Sequence, residues 1–112
     1  MSLADKIREQ RKISVTVGDV TFTGTRATSE EFAKYSINQV MDAEVSRAHI
    51  AGWSGVKESD LIDGGGKTEV SFNKSDFDLV IGDKPDWYGA IAKAVLTDAI
   101  DRITKRSDST KN

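Results

Sequence analysis

A serine between two glycines is the first candidate for catalysis in this sequence. Glycines flank Ser54 in the segment 52–56, as they flank the strained, exposed serine of a nucleophile elbow. That motif requires glycine at position 56, which is valine here, and a strand before the serine, where the pattern predicts a helix. His49 lies five residues before Ser54 on that helix, where it is poorly placed to act as the base. The segment is instead predicted to be a glycine-shaped turn that carries Trp53.

The sequence also contains a partial match to a phosphate-binding loop. The triplet Gly66-Lys67-Thr68 matches the end of a phosphate-binding loop, whose backbone N–H groups cradle phosphates at the start of a helix. Leu61 stands where that motif has its first glycine, and a strand is predicted to follow the triplet. A flexible loop is the favoured interpretation.

Acidic residues could hold a hard cation. Eight of them lie between Lys57 and Tyr88, but no stretch has the alternating oxygen ligands of a calcium-binding loop. Four of these acids are explained as helix N-terminal residues that favour the positive end of the helix dipole: Asp76, Asp78, Asp83 and Asp86. His49 is the single histidine and cannot form a histidine-based metal cluster alone. We therefore expect no catalytic residue, no metal and no cofactor.

Composition narrows the function classes further. The 112 residues suit one compact domain, and 16 basic against 18 acidic residues give a net charge of -2, which argues against nucleic-acid binding. The absence of cysteine excludes disulfides, thiolate nucleophiles and thiolate-bound metal clusters. No apolar run is long enough for a secretion signal or a membrane span, so we expect a cytoplasmic protein that does not bind a membrane.

The elements begin with an arm and a hairpin. Residues 1–12 are predicted to be an N-terminal arm or short helix, with Leu3 and Ile7 four residues apart as apolar anchors. From residue 13 the apolar period changes to two, with Gly18-Asp19 as a two-residue hairpin loop. This register pairs Val17 with Val20 and Val15 with Phe22 on one apolar face. The hairpin should therefore lie on a helical layer.

Three helices are predicted after the hairpin. Thr28 and Glu31 form a capping-box pattern, which predicts a long helix from about 29 to 50 that stops at Gly52. Its predicted buried stripe consists of Ala33, Ile37, Val40, Met41 and Ala48. The segment 68–72 alternates and allows a third short strand, followed by a short helix that Asn73 or Ser75 caps and that ends at Gly82.

The last helix should begin at Pro85 and carry apolar residues around more than one stripe. Such a wide apolar surface predicts contacts on two sides, one of them with another subunit. The basic C-terminal end, formed by Arg102, Lys105, Arg106 and Lys111, is either solvated or an electrostatic dock for an acidic partner.

These elements predict an α+β fold in which a β-hairpin, with or without a third strand, packs on two long helices and one short helix. We expect one domain over residues 13–106 and a polar tail over residues 107–112.

Three segments resemble the tail assembly chaperones of long, non-contractile-tailed (siphovirus-type) bacteriophages and prophages. They read Val20-Thr-Phe-Thr-Gly-Thr-Arg-Ala-Thr-Ser-Glu-Glu-Phe32, Val45-Ser-Arg-Ala-His-Ile-Ala-Gly-Trp-Ser-Gly-Val56 and Glu69-Val-Ser-Phe-Asn-Lys-Ser75. The resemblance covers about residues 13–103, and its most specific part is the Gly-Trp block at 52–56.

The resemblance implies a non-catalytic role in tail morphogenesis. Such chaperones coat the tape-measure protein, keep it soluble and give way to tail-tube subunits, which a frameshifted longer form is proposed to recruit. They act in the cytoplasm of the infected cell and are absent from the mature virion. A holdase works through several weakly binding copies, so a homo-oligomer in a ring or spiral is expected.

Five residues are the candidates for protein binding: Leu3, Ile7, Gly52, Trp53 and Gly55. Trp53 is equally well explained as ordinary core. The alternative functions are a phage head-tail connector or tail completion protein that stays in the virion and, behind it, a metal-dependent hydrolase that uses the aspartates.

Overall fold

The structure is a computed structural model that describes the backbone of residues 1–110 and the side chains of residues 1–105. Within this part of the chain it has an α+β fold, with six α-helices and one three-stranded antiparallel sheet of order β1-β2-β3. The elements are α1 (Leu3–Gln10), β1 (Lys12–Val17), β2 (Val20–Thr25), α2 (Ser29–Asn38), α3 (Asp42–His49), β3 (Ile50–Ser54), α4 (Glu58–Leu61), α5 (Lys74–Val80) and α6 (Pro85–Thr110), with a 3-10 turn at Ile81–Asp83.

The hairpin of β1 and β2 has the predicted register. Val17 pairs with Val20 and Val15 with Phe22 around the two-residue loop. Val15, Val20 and Phe22 are buried on the inner face of the sheet. The outer face carries hydroxyls, among them the Thr16 and Thr21 side chains at 3.2 Å. The prediction of one apolar and one wet face is therefore confirmed.

The third strand is not the predicted one. It is β3, which pairs with β2 and places Trp53 beside Phe22. The segment 68–72 instead forms an isolated bridge through Glu69, and Val70 N–H donates to Val56 at 2.8 Å. The predicted stop at Gly52 and the predicted turn around Trp53 are wrong for the same reason, because the chain passes from α3 directly into this strand.

Close approach of the backbone explains why β3 can pair there. A Cβ atom at position 24 would lie 1.8 Å from the carbonyl oxygen of His49, so only glycine allows the chain leaving α3 to join β2 at this point. The ladder shifts register between Thr23 and Gly24, as a β-bulge does. This dependence on a single missing side chain is not visible in an alternation pattern.

The predicted long helix over residues 29–50 is two helices. Thr28 and Glu31 form the predicted capping box at the start of α2. Helix α2 ends at Asn38, and the next residue, Gln39, takes a left-handed conformation with φ 51°. Helix α3 begins after Met41 without a side-chain cap. The predicted buried stripe is wrong: Val40 is partly buried, whereas Ala33, Ile37, Met41 and Ala48 are exposed, Ile37 at 80% and Met41 at 75%. The apolar period continues across residues 39–41, so it does not reveal the break.

The second half of the fold follows the prediction more closely. Asn73 accepts the Asp76 N–H at 3.1 Å and caps α5, and α6 begins at Pro85. The core joins the sheet to these helices through the Phe22 ring, whose centroid lies 5.1 Å from that of Trp87 and 6.1 Å from that of Phe77. One side of α6 is buried at Ile91, Ala92, Val95 and Ala99.

The last helix extends beyond the predicted domain. It runs to Thr110, so its backbone includes the first four residues of the predicted tail, and residues 111–112 lie outside the described part of the chain. Ile100 and Ile103 are exposed, at 48% and 39%. Of the predicted pair of long helices, α6 is the one observed.

Replacing Gly24 with alanine should destabilise the fold, because the added methyl group collides with rigid backbone at His49. We expect a loss of about 1–3 kcal/mol or more in the free energy of unfolding, measured by urea denaturation. Gly66→Ala is the matched control, since nothing lies within 4 Å of a Cβ atom at that position. Equal stability of the two variants would contradict the packing of β3 against β2.

Candidate protein-binding surface

Helix α1 is well capped but buries none of its residues. The Ser2 hydroxyl accepts the Asp5 N–H at 3.1 Å, and the Asp5 carboxylate accepts the Ser2 N–H at 3.4 Å. Leu3 and Ile7, four residues apart on one face, are 73% and 41% exposed. Eight residues are too few for a helix to be stable alone in water, so this helix would gain stability from a partner that covers its apolar face.

A groove of about 810 Å³ separates α1 from the outer face of the sheet. Its lining residues are Arg8, Arg11, Lys12, Ile13, Ser14, Thr23, Gly24, Thr25 and Ala51. We call it the arm groove. It contains three cationic side chains and three hydroxyls, and no carboxylate belongs to this lining. Since the exposed surface of the groove is nevertheless mostly apolar, it suits an apolar segment that also carries acidic or hydrogen-bond-accepting groups.

The cations of the arm groove are only lightly neutralised. Arg8 pairs with Asp5 at 3.3 Å and Lys12 with Glu9 at 2.9 Å, and all four side chains are exposed. Such pairs contribute little in water. Arg11 makes no ion pair within the described residues. Residues 1–12 contain four basic and two acidic side chains, a local net charge of +2.

The basic character continues onto the neighbouring junction of β2 and α2. Asp98 on α6 lies 3.3 Å from the Arg26 guanidinium and 3.0 Å from that of Arg102. Arg102 also donates to the Ala27 carbonyl. A shallow depression joins Arg11 to Arg26 and Arg102. One carboxylate thus serves two arginines, and this end of the molecule stays positively charged.

Leu3 and Ile7 lie on α1, which contributes Arg8 to the arm groove but neither of these two residues, and Trp53 lies elsewhere. Trp53 lies on the inner face of β3, half-buried, with its ring 5.1 Å from that of Phe72 in an edge-to-face contact. Its indole N–H donates to the Val70 carbonyl at 2.7 Å. Trp53 therefore ties β3 to the segment 68–72, which is a structural role.

The two glycines beside Trp53 also make internal contacts. Gly52 pairs with Thr23, and a Cβ atom there would lie 2.7 Å from the threonine hydroxyl. Gly55 has φ +80°, and a Cβ atom there would lie 2.2 Å from the Asp19 carbonyl oxygen. Gly55 needs glycine, because its φ is positive and the Asp19 backbone is rigid, whereas the threonine hydroxyl beside Gly52 can rotate away. These contacts explain the block at 52–56 without a partner.

His49 is buried and holds two elements together. Its Nδ1 lies 3.0 Å from the Thr25 carbonyl oxygen, an acceptor, so Nδ1 carries the proton. Nε2 of the neutral ring then accepts from the Tyr35 hydroxyl at 2.7 Å. Burial, with a smaller contribution from Glu31, raises the pKa of Tyr35. Both ring nitrogens are engaged, which leaves Ser54 on the surface without this histidine as a base.

The described residues were also searched for a metal site and for a membrane-spanning helix. They contain no group of three or more histidine, cysteine or acidic side chains that could hold a metal ion. None of the helices in this part of the chain has the length and apolar character needed to cross a membrane.

Comparison with protein-family models, curated proteins and solved structures finds no match to this chain. The candidate surface is therefore defined from the structure alone. It consists of the apolar face of α1, the arm groove and the basic junction at Arg26 and Arg102. Sequence patterns identified the first of these. They missed the groove, which residues 8–14 form together with Thr23, Gly24, Thr25 and Ala51 far from them in sequence, although the positive charge of residues 1–12 was a usable signal.

Trp53→Ala should lower stability by about 3 kcal/mol, because it removes aromatic contacts with Phe72 and Phe77. Trp53→Phe keeps a ring and loses the hydrogen bond, so it should cost about 1 kcal/mol. Urea denaturation measures both. A Trp53→Ala chain with unchanged stability that fails to bind a partner would show that Trp53 is a contact residue after all.

Tyr35→Phe should cost about 1–3 kcal/mol, because it leaves the buried Nε2 of His49 without a donor. Since the pKa of Tyr35 is raised in the folded chain, the unfolded chain loses this proton first. The contribution of the protonated Tyr35 hydroxyl to the free energy of unfolding should therefore be fully present below about pH 10 and be lost as the pH rises further. The Tyr35→Phe variant should lack this pH-dependent contribution. Urea midpoints across this range test both effects, with Tyr88→Phe as the control. Identical curves for wild type and Tyr35→Phe would contradict the assignment.

Proposed function

We propose that this protein is a tail assembly chaperone of siphovirus-type phages or prophages, a non-catalytic protein that binds the tape-measure protein and keeps it soluble. It then helps to recruit tail-tube subunits, a step in which a frameshifted longer form takes part. The proposal rests on helix α1, which is capped at its N-terminus and whose apolar residues Leu3 and Ile7 are exposed to solvent.

The apolar face of α1 suits a holdase. A chaperone for a long helical protein must bind exposed apolar segments reversibly and release them when the tube assembles. Leu3 and Ile7 offer a small apolar contact on a short helix, so each molecule binds weakly and several copies are needed for a durable complex. Each copy that binds the unaggregated partner stabilises it by mass action.

The resemblance that suggested this function falls on residues that shape the fold. The segment 20–32 contains β2 and the start of α2, and the segment 45–56 contains most of α3 and β3. These strands pair with each other, and the glycines of the Gly-Trp block allow their close approach. A similarity in this region is therefore a similarity of architecture, and the partner-binding residues are sought on α1.

Co-expression with the tape-measure protein encoded nearby tests the proposal. Wild-type chain should keep the partner soluble in a complex with many copies per partner, sized by light scattering. Leu3→Ser/Ile7→Ser should bind at least about tenfold more weakly, because two apolar contacts are lost. Its own fold should be unchanged, since both residues are exposed.

Ile62→Ser/Leu79→Ser is the matched control, with two exposed apolar side chains outside α1. It should solubilise the partner as wild type does. If wild type forms no complex and the partner stays insoluble, the chaperone function is wrong and a connector or completion protein becomes the better account. Mass spectrometry of purified virions would then find the chain in the particle.

A further inference from the structure

Three arginines from distant parts of the chain surround one small depression. Arg11 follows α1, Arg26 lies between β2 and α2, and Arg102 lies on α6. The depression has a volume of about 220 Å³, and its other lining residues are Ala27, Thr28 and Ser29. We call it the arginine depression. No carboxylate belongs to this lining, so it is a basic site on a chain whose net charge is -2.

The fold holds these arginines together. The Arg26 backbone N–H donates to the Arg11 carbonyl at 2.6 Å, which fixes the end of α1 beside the end of β2. Arg102 donates to the Ala27 carbonyl, and its Nε lies 3.0 Å from one carboxylate oxygen of Asp98. The other oxygen of Asp98 lies 3.3 Å from the Arg26 Nε. Three guanidinium groups thus share one carboxylate, which leaves an excess of two positive charges.

Two of the three guanidinium groups keep their donors for another molecule. Arg102 is engaged, because it donates to Asp98 and to Ala27. The Arg26 Nε is buried, and its contact with Asp98 lacks hydrogen-bond geometry. Arg11 is exposed and makes no ion pair within the described residues. An acceptor in the depression would therefore meet available donors on Arg11 and Arg26.

The start of α2 adds backbone donors to the same depression. Thr28 caps this helix, and the N–H groups of Ser29 and Glu30, its first two residues, have no partner inside the helix. The acidic side chains of this turn have other contacts, since Glu31 accepts the Thr28 N–H at 2.9 Å and Glu30 lies 3.9 Å from Lys34. Guanidinium groups and helix N-terminal N–H groups are the donors that proteins use for phosphate oxygens.

A second depression continues from the first. It has a volume of about 390 Å³, shares Ser29 and Arg102 with the arginine depression, and adds Ile103 and Lys105. Ile103 is 39% exposed. An apolar side chain in this place can contact the organic part of a ligand whose charged group lies among the arginines. A free phosphate ion would leave this second depression unused, so the surface favours a phosphate monoester.

We propose that the arginine depression binds the phosphate group of a small phosphate monoester, whose organic group lies against Ile103. A dianionic phosphate matches the two positive charges that Asp98 leaves unbalanced. Its oxygens accept from Arg11, Arg26 and the start of α2. The small volume suits one phosphate group, and the net charge of the chain is unfavourable for a nucleic acid. This site does not depend on tape-measure binding.

Titration with phenyl phosphate, followed by the NMR shifts of backbone amides at about pH 7.5 and constant ionic strength, tests the proposal. The Ser29 and Glu30 amides should shift in a saturable way. Arg11→Gln and Arg26→Gln should each weaken binding at least about tenfold, since each removes charge-assisted hydrogen bonds. Inorganic phosphate should bind at least about threefold more weakly than phenyl phosphate, because it lacks an apolar group. Ile103→Ser should remove this difference.

Arg8→Gln is the matched control. Arg8 is an exposed arginine on α1 that lines the arm groove and does not line the arginine depression, so this variant should bind phenyl phosphate as wild type does.

Ser29→Pro tests the helix start separately. Proline is favoured at the first position of a helix, and Thr28 already has the extended conformation, φ -74° and ψ 164°, that the residue before a proline requires. The variant should therefore stay folded, which circular dichroism checks. It should lose at least about threefold in affinity, because one N–H group and one hydroxyl are removed.

Three results would overturn the proposal. Millimolar phenyl phosphate could leave the amides at the start of α2 without a saturable shift. Arg8→Gln could weaken binding as much as Arg11→Gln does, which would indicate a general attraction of anions to positive charge. A single-stranded oligonucleotide could displace phenyl phosphate at far lower concentration, which would indicate a nucleic-acid surface.

Discussion

The packing of Phe22 against Trp87 and Phe77 is the contact on which the rest of the structure depends. It fastens the central strand of a three-stranded sheet to α5 and to the start of α6, with all three side chains almost wholly buried. Because α6 is fixed here, its far half reaches the junction of β2 and α2, where Asp98 and Arg102 meet Arg26. One aromatic cluster thus sets the direction of the longest helix and, through it, the positions of both ends of the molecule.

The core is small, and helix α1 lies outside it. The buried residues are few and nearly all apolar, and the buried polar side chains of the described residues, Ser46 and His49, make structural hydrogen bonds. Helix α1 contributes nothing to the core, although its N-terminus is capped, and residues 1–12 around it have a net charge of +2, opposite in sign to that of the whole chain. The described residues thus leave the apolar face of α1 and the arm groove exposed to solvent.

Local patterns predicted the parts of the fold that neighbouring residues determine. The hairpin register follows from alternation around a two-residue loop, the start of α2 from Thr28 and Glu31, and the start of α6 from Pro85. The third strand depends on a contact distant in sequence, since β3 needs the missing side chain of Gly24. The break at Gln39 leaves the apolar period intact, so the period does not reveal it. The same distinction holds for the surface: Leu3 and Ile7 were visible as a spaced pair, whereas the groove requires strands and arm together.

Helix α1 has an apolar face that another molecule must cover for the helix to be stable. Hydrogen–deuterium exchange of its backbone amides, measured from dilute to concentrated protein and then with the tape-measure partner, tests this most directly. We expect fast exchange of α1 in the dilute chain, while the buried half of α6 is protected, and slowing of α1 alone as copies or partner are added. Amides of α1 that are protected in the dilute chain, or that exchange equally fast under all conditions, would contradict the account.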